Sequence, residues 1–141
     1  MPRKEKKKKV LFICTHNSAR SQMAEGLLNA LGGDRYEAFS AGTESSEVRP
    51  QAIEVMREIG IDISDHTSKN LDLFLDKALD LVVTVCDRAK ESCPYFPGEK
   101  EVLHKGFEDP SAARGTDEEK KRVFRRVRDE IRDWIEKTFL K

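Results

Sequence analysis

The segment Cys14-Thr15-His16-Asn17-Ser18-Ala19-Arg20-Ser21 holds a thiol nucleophile and, six positions on, a guanidinium. A tight loop that runs into a helix turns successive backbone N–H groups toward one centre, and the helix N-terminus adds positive potential. Arg20 can fork two donors onto a tetrahedral oxyanion. The same field favours the thiolate of Cys14 over its thiol, and Ser21 can donate its hydroxyl to that sulfur. The loop, Thr15 through Ser21, therefore reads as an oxyanion site with a built-in nucleophile. The plainer alternative is a core cysteine at a strand end with an exposed arginine nearby. C-x5-R alone arises often by chance. C-x5-R-[ST] between a buried strand and an amphipathic helix is far more specific. Asp109-Pro110 supplies a carboxyl on a loop that proline stiffens, although Asp-Pro is also an ordinary turn signal. Cys86 and Cys93 add two more thiols, each of which alone would read as a small buried hydrophobe.

The elements that must hold these groups follow from the apolar pattern. Val10–Cys14 is a short unalternating run, as in a strand buried on both faces. Met23, Ala24, Leu27, Leu28 and Leu31 mark a helix that Gly32-Gly33 stops, where a left-handed cap is expected. Tyr36–Ala41 reads as a second strand. A second helix starts at Pro50, buries Ala52, Ile53, Met56 and Ile59, and ends at Gly60. Residues 69–78 offer a third helical stretch. Leu81–Val85 is a strand rich in β-branched residues, and Glu101–His104 a short fourth one. The last helix is announced by Thr116 and Glu119 at capping-box spacing and by acids in its first turn. Val123, Phe124, Val127, Ile131, Trp134 and Ile135 form its apolar face. This order implies an α/β fold: a three-layer α/β/α domain around a four-stranded, mostly parallel sheet.

Composition narrows the function classes. The chain has 141 residues, enough for one domain that needs no staple. Residues 1–9 carry six basic groups and one acid, and read as a basic flexible tail ahead of a single catalytic domain over 10–141. The rest carries 20 basic and 25 acidic groups, a poor balance for binding nucleic acid. No run approaches the about 20 apolar residues of a membrane span, and Val10–Cys14 is too short for a signal-peptide core. An odd number of cysteines, three, without an export signal points to reduced thiols in the cytosol.

The loop CTHNSARSQMAEG resembles that of low-molecular-weight protein tyrosine phosphatases, and more closely that of arsenate reductases built on the same flavodoxin-like topology. The resemblance continues through Ser40–Thr43, Ile61–Ser68, Asp80–Cys86, Asp109-Pro110 and Val127–Ile131. It implies a monomeric arsenate reductase of the thioredoxin-coupled type, with Cys14, Arg20, Asp109, Cys86 and Cys93 as catalytic residues and no organic cofactor or redox metal. Cys14 would attack arsenate, and Asp109 would protonate the departing oxygen. Cys86, at the same sheet edge as Cys14, would displace arsenite. Cys93 would then take over the disulfide for reduction by thioredoxin. Were residues 86–93 helical, about seven rises of ~1.5 Å would hold those two thiols too far apart for a bond, so the segment would have to unwind.

In the related reductases a potassium ion sits near the loop. Asn17, Glu25 and Ser40 match three of its ligands, but the fourth position, an aspartate there, is Lys69 here. Either the lysine ammonium fills the cation site itself, or Lys69 is solvated and the ion is absent or bound differently. His66 supports the loop by a hydrogen bond or is merely structural. The competing enzyme reading is a phosphotyrosine phosphatase, which needs only Cys14, Arg20 and Asp109. It leaves Cys86 and Cys93 without a purpose, and Ser111 stands where such phosphatases place an aromatic platform. A third reading is a non-catalytic oxyanion or redox sensor, against which the presence of Asp109 speaks. The cradle would take arsenate, phosphate or sulfate alike.

Overall fold

A computed structural model describes residues 7–44, 46–87 and 101–140. Four strands, β1 (Lys8–Cys14), β2 (Tyr36–Gly42), β3 (Leu81–Thr84) and β4 (Glu101–His104), form one sheet in the order β2-β1-β3-β4. Every pairing is parallel. The helices are α1 (Arg20–Gly32), α2 (Pro50–Arg57) and α3 (Asp117–Phe139). β1 is central and its last five residues are buried, as the unalternating run requires. The strand starts two residues earlier than the basic run suggested. Lys8 and Lys9 belong to the sheet, and Lys9 N–H is held by the Asp80 carboxylate at 2.7 Å.

Among the described residues the three α-helices lie on one face of the sheet, where Phe12, Met23, Leu27, Met56, Phe124 and Ile131 share one core. Phe139, near the end of α3, meets Phe12, Tyr36 and Trp134 edge-on. The capping box is present: Thr116 Oγ1 accepts from Glu119 N–H, and the Glu119 carboxylate accepts from Thr116 N–H. Arg128 of α3 is buried, and its guanidinium reaches the Val55 carbonyl and Glu58.

The other face is covered by a smaller core of Leu11, Ile13, Leu71, Phe74, Leu79 and Val82. The helix expected over 69–78 is here a single 3-10 turn, Leu71–Phe74. Only Leu71 and Phe74 face the sheet, a spacing of three that suits a 3-10 turn. Leu73 stays 70% exposed. Asn70 caps the turn by accepting from Asp72 N–H.

Two helix stops differ in kind. Gly60 has φ +80° and closes α2, with Gly60 N–H on Arg57 O and Ile61 N–H on Met56 O, as in a Schellman cap. Gly33 is right-handed, φ −65°, and not the left-handed cap expected. Its requirement is steric, because a β-carbon there would stand 2.3 Å from Asn29 O. The expectations about Cys93 and the segment after Cys86 lie outside the described residues, as do those about residues 1–6. No helix among the described residues is long and apolar enough to cross a membrane.

Candidate active site

The Cys14–Ser21 loop lies where β1 ends and α1 begins, at the carboxyl edge of the sheet, the place where open parallel sheets bind ligands. Four consecutive loop carbonyls are held from outside. Thr15 O accepts from Glu44 N–H and Thr43 Oγ1, His16 O from Ser68 Oγ, Asn17 O from Gln22 Nε2, and Ser18 O from Arg49 N–H. A trans peptide points its N–H opposite its C=O. The amides of residues 16–19 are therefore turned the other way, into the bowl of the loop, as an anion nest requires. Asn17 makes the bend with φ +51°, a left-handed geometry that asparagine tolerates.

Cys14 is buried and is a free thiol. Its sulfur lies 2.8 Å from Ser21 Oγ. The direction of that hydrogen bond follows from its neighbours. Lys69 N–H can only donate, and it meets Asn17 Oδ1 at 2.8 Å. Asn17 Nδ2 is then turned to donate to Ser21 Oγ at 2.8 Å. Ser21 Oγ, with one lone pair taken, is left to give its hydrogen to Cys14 Sγ. A parallel argument runs from Thr67 O, which can only accept. It holds Gln22 Nε2 at 2.9 Å, and the same amide donates to Asn17 Oδ1 at 2.9 Å. Gln22 Oε1 therefore faces His66 Nδ1, which carries the proton of their 3.0 Å bond. His66 thus supports the loop through Gln22 and makes no bond to the loop itself. Gln22, fully buried in α1, has no place in the sequence reading. No periodic signal marks it, since at ~100° per residue it falls on the side of α1 away from Met23, Ala24 and Leu27, beside Glu25 and Gly26.

Arg20 is almost fully buried, with Nη1 on Phe107 O at 3.2 Å and Nη2 3.7 Å from Asp109 Oδ2. Asp109 is part-exposed and caps the turn Pro110–Ala112, its Oδ1 accepting from Ser111 N–H at 2.9 Å. The structure thus brings Cys14, Arg20, Ser21 and Asp109 to one mouth. Of these four, Asp109 lines a cleft of about 360 Å³ that it shares with Thr15, His16, Asp87, Glu108, Ala112 and Ala113. His16 is half-exposed and pairs with Glu44 at 3.0 Å.

Cys86 is fully buried and disulfide-bonded. Ile13 pairs with Thr84 in the sheet, so Cys14 and Cys86 leave neighbouring strands at the same edge. Cys93 lies outside the described residues. Beneath the loop, Glu25 accepts from Ser40 Oγ, and Lys69 Nζ stands 3.9 Å from Glu25 Oε1 and donates to Thr67 O at 2.7 Å. Of the cation-site candidates, Asn17 meets Lys69 through its backbone N–H. Glu25 meets the ammonium, and Ser40 meets Glu25. Among the described residues there is no cluster of three or more His, Cys, Asp or Glu side chains that could hold a metal ion.

Residues 9–141 match the family described as low molecular weight phosphotyrosine protein phosphatase. An arsenate reductase of Halalkalibacterium halodurans is 54% identical over 133 residues, spanning 94% of this chain and 95% of that protein. A solved arsenate reductase in its reduced state superposes with a TM-score of 0.76 at 37% identity, covering 94% of this chain and 97% of the other. A thioredoxin-dependent arsenate reductase of Corynebacterium glutamicum gives 0.66 at 31% identity, covering 95% of this chain and 63% of that one. By its loop, its parallel sheet and these likenesses, the chain belongs to the low-molecular-weight phosphotyrosine phosphatase family, among its arsenate reductases.

Proposed function

We propose that this protein reduces arsenate to arsenite through a relay of three cysteines that thioredoxin recharges. The observation that carries the reading is the state of two thiols at one sheet edge. Cys14 is free inside the oxyanion loop, while Cys86, on the next strand, is already in a disulfide. A phosphatase has no use for the second. Arsenate sits in the amide bowl with Arg20 forked onto two oxygens. The Cys14 thiolate attacks arsenic, and Asp109 gives a proton to the departing oxygen, which leaves as water. Cys86 then attacks Cys14 sulfur. The S–S bond forms, the S–As bond breaks, and the electron pair leaves with arsenic as arsenite. Cys93 attacks Cys86 and frees Cys14, and a dithiol partner reduces the Cys86–Cys93 disulfide by exchange. Thioredoxin is that partner by the likeness to the thioredoxin-dependent relative. The enzyme acts as a monomer in the reducing cytosol, where the thiols of such a relay are kept available.

The test is arsenate-dependent NADPH oxidation in the presence of thioredoxin and its reductase. Cys14→Ser, Cys86→Ser and Cys93→Ser each abolish turnover. An assay in which only Cys14→Ser is dead replaces the relay with the phosphatase reading.

The potassium position is served by Lys69 in place of an ion. Its ammonium is part-buried beside Glu25 and hydrogen-bonded to Thr67 O, and so supplies in place the positive charge an ion would bring. Wild-type turnover is accordingly indifferent to potassium at constant ionic strength, and Lys69→Ala acquires potassium activation. A wild type strongly dependent on potassium refutes this.

A further inference from the structure

We infer that Arg49 makes its side of the rim the port through which oxyanions reach the Cys14 loop. This rests on the reading of that loop as the arsenate site. Two openings flank Asp109, and His16, Asp109 and Ala112 border both. The first is the cleft of about 360 Å³. Asp87, Glu108 and Asp109 give it three carboxylates, and no lysine or arginine among the described residues lines it. Glu108 is paired with Arg126, 3.1 Å away on α3. The second is a cavity of about 280 Å³ bordered by Ser18 of the loop and by Arg49 and Ser111. Among the described residues Asp109 is its one carboxylate and Arg49 its one guanidinium. Serine at 111 takes little room on that wall.

Arg49 is anchored there by its main chain. Its N–H donates to Ser18 O at 2.9 Å, which ties residue 49 to the loop itself. The residue is exposed, and among the described residues its guanidinium has no ion pair or hydrogen bond. His16, the other basic group on this wall, is engaged by Glu44 at 3.0 Å. Arg20 is almost fully buried and holds Phe107 O. Arg49 is therefore the standing positive charge on this side of the rim.

A cleft wall of one sign concentrates ions of the other, and a guanidinium fork suits a tetrahedral oxyanion. An oxyanion approaching by the three carboxylates is repelled, whereas one approaching by Arg49 is drawn in. Arsenate is an anion near neutral pH, while arsenite is there an uncharged acid. The charge that draws in the substrate thus has no hold on the product.

The test reads charge alone. In the full-length protein with Cys86 in its disulfide, Cys14 is the free thiol. Its alkylation is timed with iodoacetate, an anion, and with iodoacetamide, its uncharged analogue, by mass spectrometry of the Cys14 peptide. At low salt the ratio of the iodoacetate rate to the iodoacetamide rate falls by about threefold in Arg49→Ala and about tenfold in Arg49→Glu. Arg49→Lys keeps the ratio near that of wild type. In about 0.5 M NaCl the deficit of Arg49→Glu shrinks below about twofold, because the charge is screened. Sulfate, a dianion, protects Cys14 about tenfold more weakly in Arg49→Ala than in wild type at low salt. A ratio in Arg49→Glu equal to that of wild type, or a deficit that salt leaves unchanged, overturns the inference. No arsenate turnover is involved, so a protein that fails to reduce arsenate still answers here, and the two readings fail separately.

Discussion

Gly42 ends β2 directly beneath the catalytic loop, and replacing it with alanine is the sharpest steric test of the site. The added β-carbon would stand 2.6 Å from Thr15 O and 2.9 Å from both Asn17 N and Cys14 O. Real β-carbons essentially never approach other atoms closer than 3.0 Å, and all three neighbours here are main-chain atoms with no rotamer to yield. The loop must therefore retreat by several tenths of an ångström. Overpacking of this kind costs about 1–3 kcal/mol, or roughly 3–12 °C in Tm for a domain of this size. The catalytic cost is larger. Moving the loop shifts Cys14 and the amide bowl relative to Arg20 and Asp109, which are held from the 107–112 segment. A displacement near 1 Å is worth about 100-fold in rate, so a retreat of several tenths of an ångström lowers kcat/KM for arsenate by about tenfold while most of the fold survives. The assay pairs coupled NADPH oxidation with thermal unfolding. Gly60→Ala is the control: it strains a left-handed residue with open space around it, so it costs stability and leaves kcat/KM intact. A Gly42→Ala enzyme within twofold of wild type would refute the steric account of the loop.

Three further expectations follow from other contacts. Ser21→Ala removes the hydroxyl on Cys14 sulfur and leaves Asn17 Nδ2 without its acceptor, so single-turnover attack on arsenate slows by about 10- to 100-fold, the worth of roughly 1.5–3 kcal/mol for a hydrogen bond to a charged group. Asp109→Asn keeps the turn cap yet cannot protonate a leaving oxygen, so kcat falls by about 100-fold or more with arsenate protection of Cys14 against alkylation preserved. Glu58 is held below the usual carboxylate range, first by its hydrogen bonds from Arg125, which burial opposes, and then by its hydrogen bond from Arg128. A depressed carboxylate stabilises the fold above its unfolded titration point and loses that contribution as pH falls through the folded one. The Tm gap between wild type and Glu58→Gln therefore narrows on going from pH 6 to pH 3, and a gap unchanged by pH refutes the assignment.

Much of the site was legible because its parts are consecutive. A cysteine at a buried strand end, a helix start and an arginine between them define the loop from Cys14 to Ser21 without any long-range information. The capping box of α3 and the parallel order of strands were legible for the same reason, since each depends on local spacing or on alternation of elements. What escaped depends on groups distant in sequence meeting in space. Gln22 is an ordinary helix residue until Thr67 and His66 are brought over it. The segment 69–78 has enough leucine to read as a helix. Yet only Leu71 and Phe74 find the sheet, and the Asn70 cap favours a tighter turn. Gly33 was read as a conformational need and is a steric one, visible only once the Asn29 carbonyl is placed beside it.

The hydrogen-bond chain that ends on Cys14 begins at the main chain of Lys69, and this divides the duties of one residue. Its N–H orients Asn17 whatever side chain is attached, and among the twenty amino acids proline alone lacks it. The side chain above is at liberty to change: on the reading of Lys69 proposed above, a lineage can trade an ammonium for a carboxylate at position 69, and with it an ion requirement, while the bias on the sulfur persists. Selection on salt response and selection on thiol chemistry thus act on separable parts of a single position.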